Sequence, residues 1–153
     1  MREVGITEFA TGLLILVTIF CSAVYGDQGA ELMNAAKEGD LKQVRDLLDN
    51  GADVDTKDDS GVSALLAAAV NGHIEVVKLL LEWEADVDAK DNNGVTALMV
   101  ASHEGHIDIV KLLLEHDADV NAKNKDGETA LMAASVKGHA AILELLKAEG
   151  AKE

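Results

Sequence analysis

The chain has 153 residues, with 13 Lys and Arg against 28 Asp and Glu and a formal net charge of -15. Acid in that excess, with no Lys/Arg run to offset it locally, repels phosphate backbones and anionic lipid surfaces, so nucleic-acid binding is all but excluded as the main activity. With 48% hydrophobic residues, 3% aromatic ones and no proline, the apolar content is Ala, Leu, Val and Ile, which suits packed helices; a single cysteine excludes an internal disulfide.

The first element in chain order is an address. No charged residue occurs between Phe9 and Gly26, and Leu13 to Cys21 reads LLILVTIFC, the pattern of a secretory apolar core. Val24 and Gly26 fit the small-residue positions of a signal-peptidase site, so a mature chain starting at Asp27 is expected. The alternative is an uncleaved anchor, because the uncharged run is just long enough to span the hydrocarbon. Arg2 precedes the run while Asp27 and Glu31 follow it, so either reading exports the remainder. A lipoprotein would use Cys21, but Phe20 stands where a small residue is needed. Cleavage would remove the one cysteine, which suits an oxidising compartment.

Everything after residue 27 is organised by a period. Gly39, Gly72, Gly105 and Gly138 fall 33 residues apart, as do Gly61, Gly94 and Gly127, and His73, His106 and His139. Each unit reads as a helix, a tight turn, a second helix and a hairpin-like loop. In the second, Ser63 is the expected N-cap of an Ala64 to Val70 helix that Gly72 ends, and Ile74 to Trp83 follows with Ile74, Val77, Leu80 and Leu81 on one stripe. Two helices of that length cannot hide such a stripe alone, so neighbouring units must stack in register to bury it.

The Gly-His turns, the loops GADVDTKDDS, EADVDAKDNN and DADVNAKNKD, and the openings Ser63-Ala64-Leu65-Leu66, Thr96-Ala97-Leu98-Met99 and Thr129-Ala130-Leu131-Met132 together resemble the ankyrin-repeat family, here as an exported member with Thr-Ala-Leu-Met type openings. The resemblance covers about residues 28 to 153. It implies an all-α ankyrin-repeat solenoid of units 28–60, 61–93, 94–126 and 127–153. Alanine replaces the family's proline after the N-cap, and Leu or Met its histidine. The loop glycine is kept as Gly51 and Gly150 but is Glu84 and Asp117 in the middle units, where a positive φ would cost stability. Asn34 and Asp46 stand where the second unit has Ala67 and Leu79, and Lys147 stands where Leu81 and Leu114 do. Those polar outer faces are expected to cap a four-unit, monomeric array.

Catalysis and metal binding find little support. Successive units sit roughly 10 Å apart, so the recurring histidines cannot share one ion. Asp53, Asp55, Asp58 and Asp59 cluster, but Lys57 and Lys90 fall where a calcium loop needs ligands, and Asx-type hydrogen bonding is the expected use of these acids. There is no cofactor motif, no nucleophile elbow and no phosphate-cradling loop. His103 and His116 are the only non-repeating histidines, and neither has an evident nucleophile.

What remains is binding. Positions that differ between otherwise similar units are free to specify a partner: Asp59, Ser60, Val62, Asn92, Asn93, Val95, Lys125, Asp126 and Glu128 at the hairpins, and Val70, Asn71, His103, Glu104, Val136 and Lys137 at the first-helix ends. In ankyrin-repeat proteins this side forms the concave surface that docks other proteins, so the resemblance implies a protein partner there. Val62, Val70 and Val95 are the expected apolar anchors. Trp83, the sole tryptophan, either anchors a partner from outside or covers a helix end. Residues 1–26 carry one Arg and two Glu, so about -14 remains on the domain, which favours a basic partner through steering. Membrane contact is expected only through residues 9–26, if they are retained.

Overall fold

A computed structural model describes residues 28–152. The leader expected at 1–26 lies outside the described residues. Eight helices follow in pairs: α1 (Gln28–Glu38) and α2 (Leu41–Asp49), α3 (Ala64–Val70) and α4 (Ile74–Glu82), α5 (Ala97–Glu104) and α6 (Ile107–Glu115), α7 (Ala130–Lys137) and α8 (Ala140–Ala148). First helices pack on first helices and second on second, giving two layers with the core between them. Among the described residues no helix is long and apolar enough to cross a membrane.

The caps fall where the sequence puts them. Ser63, Thr96 and Thr129 are N-caps whose hydroxyls accept from the backbone N–H of Leu66, Met99 and Met132 at 3.2, 3.4 and 3.3 Å. α4 stops at Glu82, one residue short of the expected end, with Trp83 as its C-cap. The buried stripe of α4 is wider than periodicity alone suggested. Val76 and Leu79 are buried along with Val77, Leu80 and Leu81, whereas Ile74 is 37% exposed. The reason is that α4 meets α3 inside its own unit and also α2 and α6 on either side, so more than one stripe is covered.

Hydrogen bonds along the stack explain the repeated histidines and acids. His73, His106 and His139 each direct Nε2 at a carbonyl 36 residues earlier, those of Lys37, Val70 and His103, at 3.0, 3.2 and 2.9 Å. A carbonyl only accepts, so each ring holds its proton on Nε2 and donates it to an orphan carbonyl at the preceding first-helix end. In the loops, Asp58 Oδ1 accepts from the N–H groups of Ser60 and Val62, and Asp91 Oδ1 from Asn93 and Val95. Asp55 and Asp88 accept from the backbone N–H of Asp86 and Asp119 in the next unit, both at 2.9 Å. Of the acids that suggested calcium, Asp53, Asp55 and Asp58 are thus spent on turns and stacking, while Asp59 accepts from Asn92 through its backbone carbonyl.

Glu84 and Asp117 both have φ of 62°, beside 89° at Gly51 and 90° at Gly150. The left-handed turn is therefore built with a side chain in the middle units, at a steric cost. Glu84→Gly is expected to stabilise the chain by about 1 kcal/mol and to raise its melting temperature. A scanning-calorimetry midpoint that stays put or falls would contradict the strain.

Ser102 lies in α5, fully buried, and its hydroxyl is the one buried side-chain polar atom among the described residues with no hydrogen-bond partner. The corresponding positions in units one and two are Ala36 and Ala69, also fully buried. Ser102→Ala removes an unsatisfied group from a site that already accepts alanine. A gain of about 1 kcal/mol in urea unfolding is expected; a loss would reveal a partner for the hydroxyl.

Candidate functional groove

The first-helix ends and the hairpins lie along one side of the stack. Between units two and four they enclose an open groove of about 200 Å³. Val70 enters it from the end of α3, Val95 from the following hairpin, and Met99, Val100, His103 and Glu104 from α5. The opposite wall is Asn124 and Glu128 of the next hairpin, with Thr129 and Ala133 at the start of α7.

Both carboxylates in this groove are held in place. Glu104 Oε1 lies 2.7 Å from His103 Nδ1. This hydrogen bond, helped by the nearby charges of His103, Lys137 and His106, holds the Glu104 carboxyl below its ordinary value. It therefore stays ionised to lower pH than a free glutamate, and the contact is lost only as pH falls through that lowered value. Glu128 Oε2 accepts from Asn124 Nδ2 at 2.8 Å, while Asn124 Oδ1 accepts from the Glu128 N–H at 2.8 Å. No Lys or Arg forms an ion pair with either glutamate among the described residues; the ion pairs there are His103 with Glu104 and Lys111 with Asp108.

Five of the residues singled out in the sequence meet in the groove: Val70, Val95, His103, Glu104 and Glu128. The others are placed differently. Asp59 lines a separate hollow beside Gly29, Met33 and Thr56. Ser60, Asn92, Asn93 and Lys125 tie the hairpin tips together, with the Asn92 N–H donating to Ser60 O at 2.9 Å and the Lys125 N–H to Asn93 O at 2.8 Å. Asn92 also spends its side-chain amide on Asp59 O, and Asn71 spends its own on Ala67 O. Asp126 is exposed at the last tip, and Val136, 82% exposed, sits with Lys137 at the end of α7 outside the groove. Val62 and Val95 are half-buried, Val95 against the core, so of the three expected anchors only Val70, 39% exposed, is freely presented.

Met99, Val100, Asn124, Thr129 and Ala133 complete the groove without having been singled out. Variation between units was the signal used, and Thr129 and Met99 are near-repeats of Thr96 and Met132, so they passed as framework. Trp83 projects elsewhere, 41% exposed at the end of α4. Asn50 and His116, in the same position of units one and three, bond back to their own helices at Asp46 O and Leu112 O.

The family model for ankyrin repeats (3 copies) matches residues 32–124 and 104–153. The chain belongs to the ankyrin-repeat family. A comparison with curated proteins gave no match. Ankyrin repeats are protein–protein interaction modules, and their fold is typically non-catalytic. Beside the His103–Glu104 pair of this ankyrin array, the adjacent Ser102 is fully buried. Among the described residues no group of three or more His, Cys, Asp or Glu is arranged to hold a metal ion.

Proposed function

We propose that this ankyrin-repeat protein is an exported adaptor without catalytic activity that binds a protein partner in the concave groove of units two to four. The observation that carries the reading is convergence. Five residues that vary along the array, Val70, Val95, His103, Glu104 and Glu128, come together there and combine apolar and polar side chains, the composition expected of a binding centre. Export rests on the uncharged run from Phe9 to Gly26, and a basic partner is favoured by the domain's acidity.

Two measurements test this. Intact mass of the native protein in culture or envelope fractions is expected to give a chain starting at Asp27; a chain retaining residues 1–26 in membranes would make it a tethered receptor instead. Affinity capture with tagged protein is expected to retain one stoichiometric partner that Val70→Glu releases. Retention of that partner by the Val70→Glu variant, with its fold intact by circular dichroism, would move binding off the concave face.

A further inference from the structure

We infer that the groove receives an arginine side chain of the partner, its methylene stem on Val70, Val95 and Val100 and its guanidinium between Glu104 and Glu128. This rests on the concave-face reading above and specifies what that face recognises. The groove's chemistry is divided in a way that fits one long amphipathic cation. Its floor is aliphatic and its volume of about 200 Å³ suits a single extended side chain with little else. An aliphatic anchor such as leucine would fill the floor but leave two carboxylates facing apolar surface. A short cation would reach them only by leaving the floor empty. Lys and Arg bury their stems along apolar surface while keeping the charged head at a polar rim.

The two acids are oriented without being paired to a Lys or Arg among the described residues. His103 Nδ1 and Asn124 Nδ2 each hold one carboxylate at 2.7 and 2.8 Å, which leaves each carboxylate with further lone pairs to offer a donor. Lys137 lies close enough to influence Glu104 but forms no ion pair with it among the described residues. Carboxylates on two walls match a planar guanidinium, which donates in several fixed directions, better than an ammonium, whose charge is a single point. The acidity of the array adds long-range attraction for such a partner.

The test uses the full chain and two peptides, acetyl-Ala-Ala-Arg-Ala-Ala-amide and the same peptide with norleucine in place of arginine, titrated while methyl and amide NMR signals are followed. The arginine peptide is expected to shift Val70, Val95 and Val100 and to weaken with salt, and the norleucine peptide to leave them unmoved. Glu104→Gln and Glu128→Gln are each expected to weaken arginine-peptide binding by about threefold, as exposed ion pairs do. Equal binding of both peptides, shifts confined to other surfaces, or no shift at all overturns the arginine assignment. The captured partner separates the two levels of the reading. If Val70→Glu releases it while Glu104→Gln and Glu128→Gln leave its measured affinity unchanged, the concave face stands and the arginine pocket falls. If none of the three affects it, both fall.

Discussion

A chain ending at Asp126 is expected to unfold at a much lower urea concentration than the full chain, with a loss on the order of 5 kcal/mol from the two or three apolar side chains returned to water. The comparison of equivalent residues gives the reason. Leu66 and Met99, each covered by the following unit, are 5% exposed, whereas Met132, in the last unit, is 49% exposed. Removing unit four would put Met99 in the position of Met132 and strip α8 from α6. Leu112 and Leu114, now half-buried against the core, would become the new edge. The present edge differs because Lys147 is exposed where unit three has Leu114. Urea unfolding followed by circular dichroism reads the effect, and an unchanged midpoint would mean that the units do not support one another.

Nearly all of the fold was legible in the sequence because the same information is written several times. A single Ala64 to Val70 stretch is a weak helix signal; the same N-cap, Ala-Leu core and glycine stop repeated at a fixed period are a strong one. The positive φ at Glu84 and Asp117 was legible for the same reason, since Gly51 and Gly150 occupy the same place in the other units. What the period could not convey was how many sides of each helix are covered. That is why periodicity leaves Val76 and Leu79 off the stripe, and why Val62 and Val95 are less exposed than their variable positions suggest. A one-neighbour view of a helix or hairpin misses what a stacked unit, with two neighbours, covers.

The groove was legible only in part. Variation between units marked it at Val70, Val95, His103, Glu104 and Glu128. It also marked positions such as Asn71 and Asn92, whose side chains are spent on Ala67 O and Asp59 O. Asn and Asp serve turns so readily that a difference at a loop tip says little about a partner. Asn124, which holds Glu128, belongs to the loop framework and the groove at once. Sequence comparison within the chain assigns such a residue to one role only.

The histidine that links each unit to the one before offers a sharper test of stacking than truncation. Gly105→Ala is expected to cost about 2 to 3 kcal/mol and Gly138→Ala only about 1 kcal/mol. The backbone strain is common to both, with φ of 84° and 75°. Their surroundings differ. A Cβ on Gly105 would lie 2.6 Å from Cε1 and 2.9 Å from Nε2 of His139, whereas a Cβ on Gly138 meets nothing within 4 Å. The ring must withdraw, and with it goes the bond to His103 O. That carbonyl ends α5 beside the groove, so Gly105→Ala should also loosen the His103–Glu104 corner, visible as changed amide exchange there. The His139→Ala background isolates the contact. Without the imidazole, Gly105→Ala should cost no more than Gly138→Ala, and the excess seen with the ring present measures what one histidine contributes to holding two units together. Equal costs for the two glycines with His139 in place would show that the ring yields freely and that stacking rests on the apolar layers alone.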